Sequence, residues 1–269
     1  MLTVDELSKK ARWVRRHTFE MMVSARAGHI GGSFSSTEIF VTLYYGDVLA
    51  HDPSNPTWEA RDRLIASKGH SSLSLYPILA DRGYFPLSYL ENFIGEGSIL
   101  AGHPDTRIPG IETVTGSLGH GLGIGAGMAL GVRKNGEDTR VFVLLGDGEC
   151  HEGEIWESAM FSAQHKLSNL TVIVDNNGVS ATDHTANSIN MEPMGQKWAA
   201  AGWDVRDVDG HSMTDLLDAY SGEGTLDRPK AIIANTVKGK GVSFMEDNPN
   251  FHHGLPNGDQ IELARAELV

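Results

Sequence analysis

Two short apolar runs, each ending in a polar turn and separated by one helical segment, constrain this chain more than any other feature. Val141-Phe-Val-Leu-Leu145 ends in Gly146-Asp147-Gly148, and Thr171-Val-Ile-Val174 ends in Asp175-Asn176-Asn177-Gly178. A helical pattern from Glu154 to about Lys166 lies between them. Strand, polar turn, helix, strand, polar turn is a βαβ unit, which puts both turns at one edge of a parallel sheet. That edge, beyond the carboxyl ends of the strands, is where open α/β sheets bind ligands. The expected fold is therefore α/β: a doubly wound, mostly parallel sheet with helices on both faces. Asp147 offers a carboxylate and Asn177 an amide oxygen. Such hard oxygen donors suit Mg²⁺ or Ca²⁺, and the glycines let a phosphate come close to the backbone. Either turn alone would be an ordinary Gly- or Asn-rich turn; the pair is informative.

The other turns repeat one theme. Residues 3 to 27 read as an amphipathic helix with capping-box spacing at Thr3 and Glu6. It stops at Gly28-His29-Ile30-Gly31-Gly32-Ser33, and Ser35-Ser36-Thr37-Glu38 is expected to cap a second helix running to about Val48. A strand near 61–66 leads into Ser67-Lys68-Gly69-His70, then a helix from Leu73 to about Asp81. Backbone N–H groups at the start of that helix can bind an anion. Gly102-His103-Pro104 and His252-His253-Gly254 are further histidine turns, and Lys238-Gly239-Lys240-Gly241 is a basic turn suited to phosphate. Strands are expected at 203–208 and 230–235, and helices at 194–201, 213–220 and 260–268.

Thr115-Gly116-Ser117-Leu118-Gly119-His120-Gly121 opens a small-residue helix reaching about Arg133. Each helical glycine costs about 1 kcal/mol relative to alanine, so close approach to a neighbouring helix or a ligand is expected in return. Glu149 and Glu154, near a helix start, read as partners of the helix dipole. Cys150 reads as a packed thiol.

His29, His70, His103 and His253 all sit in Gly- or Pro-rich turns. Several histidines in one cleft suit hydrogen bonding and proton transfer to a polyhydroxylated or phosphorylated ligand. Zinc is the rival reading, but the chain has no HExxH and no tight i,i+4 pair.

Composition excludes other classes. The net charge of −13 opposes non-specific binding to nucleic acid or to an anionic membrane surface. Cys150 is the only cysteine, which rules out an intramolecular disulfide and favours a reducing cytoplasm. The N-terminus lacks the apolar core of a signal peptide, and no apolar run reaches membrane-spanning length. No linker or internal repeat divides the 269 residues, so 1–269 reads as one domain.

In this order, Ala27-Gly28-His29-Ile30-Gly31-Gly32, Ser67-Lys68-Gly69-His70, Gly102-His103-Pro104-Asp105, Thr115 to Gly121, Gly146-Asp147-Gly148 with Asn177, the Lys-Gly-Lys-Gly turn and His253-Gly254 resemble the N-terminal, pyrophosphate-binding part of transketolase. The resemblance covers nearly the whole chain. It implies thiamine diphosphate and Mg²⁺ (or Ca²⁺) as cofactors. Asp147, Asn177 and the Val179 carbonyl would hold the metal. His70, Gly148, Asn177 and His253 would meet the diphosphate and thiazolium side, and Gly116 and Leu118 the aminopyrimidine. His29, His70, His103 and His253 are the implied catalytic set, facing sugar hydroxyls and moving protons. Glu152 matches an acidic position at the subunit interface.

The family often has Pro at 117 and Gln at 120, where this chain has Ser117 and His120. The family's second, pyrimidine-binding domain, which carries the cofactor-activating glutamate, does not follow. The resemblance therefore implies the first subunit of a split transketolase, with a separate C-terminal subunit, an α2β2 assembly and sugar phosphate substrates. Val269 reads as a natural end. Competing readings are another thiamine-diphosphate enzyme, such as the E1 α chain of a 2-oxo-acid dehydrogenase or a deoxyxylulose-phosphate synthase, and a cofactor-free scaffold paralogue.

Overall fold

The sheet has five parallel strands in the order β1-β2-β3-β5-β4: β1 (Arg63–Ala66), β2 (Val141–Gly146), β3 (Leu170–Asn176), β4 (Asp204–Asp209) and β5 (Lys230–Asn235). The computed structural model of the chain describes residues 2–222 and 227–269. Its helices are α1 (Val4–Ala25), α2 (Ile30–Ser35), α3 (Thr37–Tyr45), α4 (Leu75–Arg82), α5 (His120–Asn135), α6 (Gly153–Gln164), α7 (Thr185–Ser188), α8 (Met194–Ala200), α9 (Met213–Ser221) and α10 (Asp259–Glu267). The β2–α6–β3 unit forms as the sequence predicts, with Leu144 level with Ile173 and Gly146 level with Asp175.

Strand alternation separates two cores. Leu64, Phe142, Leu144, Ile173 and Ile232 face the layer of α1, α3, α4 and α9, packing with Leu7, Phe40, Ile78 and Leu216. Ile65, Val143, Val172, Val174 and Ile233 face α5, α6 and α8, packing with Leu122, Ile155 and Trp198. Covered on both faces, β2, β3 and β5 tolerate no regular polar position, which is why they read as continuous apolar runs. β4 lies at the sheet edge and keeps partly exposed charges there, which discourages pairing with another chain.

The capping box forms: the Thr3 hydroxyl accepts from Glu6 N–H and the Glu6 carboxylate accepts from Thr3 N–H. Other local expectations shift. The Gly31-Gly32 segment is helical, as α2, rather than a turn. Ser36 stands at the junction of α2 and α3 without capping α3; its hydroxyl donates to Gly32 O at 2.9 Å and to Asp175 at 3.1 Å. A buried hydroxyl with an acceptor one turn back does not need the helix end. α3 stops at Tyr45, short of Val48.

The small-residue helix begins at His120 rather than Thr115, leaving 115–118 as a loop. What comes close to Gly121 and Gly125 is the sheet and its turns, while Gly123 meets the neighbouring helix α6. A β-carbon at Gly125 would lie 2.5 Å from Val143 Cγ2, and one at Gly121 would lie 2.3 Å from Ser67 Oγ. Those contacts account for Gly121 and Gly125 without a ligand. No helix among the described residues is long and apolar enough to cross a membrane.

Candidate active site

The central strands end their run at one cleft of about 430 Å³ on the carboxyl edge of the sheet. His29, His70, His103, His253, Gly116, Leu118, Asp147, Gly148, Asn177 and Val179 all line it. Of the residues the sequence singles out for the site, Glu152 lies outside; it is exposed, at the N-terminal end of α6.

The turns after β2 and β3 lock together. One Asp147 carboxylate oxygen accepts from Gly148 N–H at 2.8 Å, and the other from Gly178 N–H at 2.6 Å. Asn177 accepts from Val179 N–H through its amide oxygen at 3.1 Å, while its NH₂ donates to Asp175 at 3.1 Å. Asp147, Asn177 and Val179 are each at most 9% exposed. Burial and the nearby Asp175 charge raise the Asp147 carboxyl above its ordinary range. No cation lies at ion-pair distance from it among the described residues.

Four residues important to the cleft escape the sequence reading or are misassigned by it. Asp175, fully buried, collects donors from four segments: Ser35 at 2.6 Å, Ser36, Asn177, the Lys68 ammonium and the Thr236 hydroxyl. Burial alone would raise its carboxyl, but the Lys68 charge and these hydrogen bonds hold it lowered. Lys68, 2% exposed, is its ion-pair partner. Glu149 is no solvated dipole partner. It is 2% exposed and accepts from Ser67 Oγ, from Gly119 N–H at 2.9 Å and from Gly146 N–H at 3.1 Å, tying three loops together. Its depth pushes its carboxyl up.

Lys238 is the fourth. The sequence marks its turn as basic and suited to phosphate, but not as buried. It is 2% exposed, and its Nζ donates to Val179 O at 2.9 Å and Ser180 O at 2.6 Å, and lies 3.0 Å from His252 Nδ1. Burial and the Lys68 charge bring its ammonium down to about 8. Its partners are neutral, and no carboxylate lies at ion-pair distance among the described residues. Gly239, which follows it at φ +80°, has no room for a β-carbon: one would lie 2.3 Å from Met245 O.

The histidines converge as expected, with His252 added. Ring centroids of His29 and His253 are 4.3 Å apart, His252 and His253 4.6 Å, His70 and His252 5.2 Å, and His29 and His103 5.5 Å. One ligand nitrogen each from His29, His252 and His253 lies within 4.8 Å of the others. So although no close-spaced zinc motif exists in the sequence, the fold assembles three imidazoles from distant turns. Burial, then neighbouring imidazoles and Lys238, lowers His29 to about 4. Burial and the Lys238 charge lower His252 to about 3, and burial with Lys68 places His70 well below its ordinary value. His103 is lowered by burial and His253. At neutral pH these four rings are uncharged, and each presents one donor and one acceptor nitrogen. The buried His29 Nδ1 has no hydrogen-bond partner among the described residues, which leaves it for a ligand hydroxyl.

This arrangement has a measurable acid response. With His29 lowered from 6.5 to about 4, the unfolded chain binds protons that the folded cleft refuses. Stability is therefore fullest above pH 6.5 and falls as the pH drops from 6.5 toward 4. His29 is partly solvated, so the contribution is discounted to on the order of 1 kcal/mol. Urea unfolding of wild type and His29→Asn at several pH values checks this. The variant is expected to show a shallower loss through that window, and parallel curves would contradict the assignment.

The chain matches the family model "Transketolase, thiamine diphosphate binding domain" over residues 7–268. It is 39% identical over 268 residues to one of the named subunits of the apulose-4-phosphate transketolase of Phocaeicola vulgatus, covering 99% of this chain and 95% of that protein. It is 37% identical to the 6-deoxy-6-sulfo-D-fructose transketolase subunit SqwG of Clostridium sp., covering 98% and 96%. Among solved structures, Campylobacter jejuni transketolase superposes with a TM-score of 0.91 at 30% identity; the match covers 99% of this chain and 43% of that one. The chain thus spans less than half of that single-chain transketolase but nearly the full length of the two named subunits. An all-parallel sheet with the diagnostic turns at one edge, a family match over almost every residue and full-length similarity to separate subunits agree: this chain belongs to the transketolase family, as its thiamine diphosphate binding domain.

Proposed function

We propose that this chain, residues 1–269 as one pyrophosphate-binding domain, is the N-terminal subunit of a split, thiamine-diphosphate- and Mg²⁺-dependent transketolase. It transfers a two-carbon ketol unit from a ketose phosphate to an aldose acceptor, together with a separate C-terminal subunit. The observation that carries this reading is a buried carboxylate and a buried ammonium in one cleft, neither of them in an ion pair among the described residues. Asp147 is an anion without a cation at ion-pair distance, and Lys238 is a cation without a carboxylate at that distance, among the described residues. Isolated buried charges are costly. A divalent metal carrying a diphosphate supplies a cation for the first and an anion for the second, and an oxygen donor set suits Mg²⁺ or Ca²⁺.

Asp147, Asn177 and the Val179 carbonyl would hold the metal. His70, Gly148, Asn177 and His253 would contact the diphosphate and thiazolium side, and Gly116 and Leu118 the aminopyrimidine. The cofactor supplies the carbanion chemistry, and the chain supplies orientation and proton handling. His29, His70, His103 and His253, with the His252 found beside them, bind sugar hydroxyls and exchange protons with them. Glu152, exposed beside Gly119 on the cleft's outer side, is proposed to meet the neighbouring subunit in an α2β2 assembly. The substrates are sugar phosphates, and a cytoplasmic setting fits them.

The test is reconstitution. This chain and its partner subunit, purified together with Mg²⁺ and thiamine diphosphate, are expected to pass a ketol unit from a ketose phosphate to an aldose, detected by product chromatography. The chain alone is expected to be at background. Dye or lipoyl reduction with a 2-oxo acid in place of sugar transfer would instead favour the dehydrogenase reading, and a complex that binds no cofactor the scaffold reading.

A further inference from the structure

We propose that the Lys238 ammonium and a divalent cation compete for the Val179 carbonyl, so that Lys238 is the chain's internal counter-cation and metal entry displaces it. The inference rests on the metal-ligand reading of Asp147, Asn177 and Val179 given above. Lys238 Nζ donates to Val179 O at 2.9 Å and to Ser180 O at 2.6 Å. It thereby sits on the one backbone carbonyl of the proposed ligand set, with the buried Asp147 and Asp175 carboxylates contributing a favourable field. A metal on the same oxygen would lie roughly 4 Å from the ammonium, given usual metal–oxygen and hydrogen-bond lengths. Like charges at that distance in a buried cleft repel by more than one hydrogen bond contributes. The two cations therefore exclude each other at this carbonyl.

The lysine can yield because its stem is flexible and its end is held by hydrogen bonds, without an ion pair among the described residues. Its stem runs past Gly31, where a β-carbon would lie 3.0 Å from Lys238 Cγ. The missing side chain at Gly31 leaves the stem its path. Lys238 thus keeps the 179–180 backbone satisfied until a metal takes over.

The experiment titrates Mn²⁺ into the full chain by calorimetry, comparing wild type, Lys238→Gln and Asp147→Ala. The glutamine retains a donor for one carbonyl and removes the charge. Lys238→Gln is expected to bind Mn²⁺ about tenfold more tightly than wild type, and Asp147→Ala to lose the site. Equal or weaker binding by Lys238→Gln, with binding still dependent on Asp147, overturns the competition and leaves the metal site standing. Absence of Asp147-dependent Mn²⁺ binding even with inorganic pyrophosphate overturns both. A second measurement needs no variant: labelling of wild-type Lys238 by an amine reagent, followed by peptide mass spectrometry. It is expected to speed up when Mn²⁺ is added alone, and an unchanged rate counts against displacement.

Discussion

Asp147→Ala is expected to weaken Mg²⁺-dependent binding of thiamine diphosphate to the assembled enzyme by roughly a hundredfold or more, since loss of a charged ligand exceeds the usual cost of losing an outer-shell partner. Two functions disappear together. The carboxylate is the only charged member of the proposed ligand set, and it also bridges Gly148 N–H and Gly178 N–H, at 2.8 and 2.6 Å. Without it, the turns after β2 and β3 keep the backbone bond from Asp147 N–H to Asp175 O at 3.3 Å but lose the side-chain link, so the Asn177 and Val179 oxygens are less well placed. Asp147→Asn separates the two losses. Its amide oxygen can keep one backbone bond while the charge is gone, so folding should be closer to wild type and metal-dependent binding should remain poor. Calorimetry with thiamine diphosphate at fixed Mg²⁺, alongside thermal unfolding of each variant, reads both effects. Wild-type affinity in a folded Asp147→Asn variant would remove Asp147 from the metal site.

Much of this cleft is legible in the sequence because the fold places it by a topological rule. Once Val141–Leu145 and Thr171–Val174 are parallel strands, Asp147 and Asn177 must fall at the same edge. The histidine turns are legible this way only in part: the His70 turn follows β1, whereas His29 lies between α1 and α2, and His103 and His253 come from loops that follow no strand directly yet line the same cleft. What stays hidden are side chains whose role depends on three-dimensional partners. Asp175 sits beside Asn177 in the same turn, yet nothing local says that it collects Ser35, Ser36, Lys68 and Thr236. Glu149 has the local signature of a helix-start acid, and only packing shows that its carboxylate accepts from Ser67, Gly119 and Gly146 instead. His252 stands next to His253, and the doublet itself is the available signal. A motif search for zinc weighs close spacing along the chain, whereas His29 comes from a turn 223 residues before His252 and meets it through the fold. The small-residue helix is legible in part. Its glycines suit close approach to a helix or a ligand; Gly123 does meet α6 at Glu154 and Ser158, but Gly121 and Gly125 approach Ser67 and Val143 instead.

Lys68→Met is expected to destabilise the chain by about 3–5 kcal/mol, the cost of leaving one member of a buried ion pair without the other. Asp175 is fully buried, and Lys68 is its only ion-pair partner among the described residues. Removing the lysine leaves a carboxylate with hydroxyl and amide donors but no opposing charge. Asp175→Asn alone leaves the ammonium without a counter-charge instead, with only neutral acceptors such as Gly32 O, at 3.4 Å. The double variant Lys68→Met/Asp175→Asn carries neither charge, and the new amide oxygen can still accept from Thr236 while its NH₂ takes the place of the oxygen that faces Ser35 and Asn177. It is therefore expected to be more stable than the sum of the single losses by about 2 kcal/mol or more, a coupling within the range seen for residues in one network. Urea midpoints of the four proteins measure this cycle. Strict additivity, with each single change costing under about 1 kcal/mol, would mean that the pair behaves like a solvated surface bridge. The same cycle also addresses function. Asp175 orients Asn177 by accepting from its NH₂ at 3.1 Å, which points the amide oxygen away from Asp175. In the double variant the amide introduced at position 175 can turn and offer Asn177 a donor in place of an acceptor. The fold can thus recover while metal-dependent cofactor affinity stays reduced, and that split distinguishes a pair that positions a ligand from one that merely fills the core.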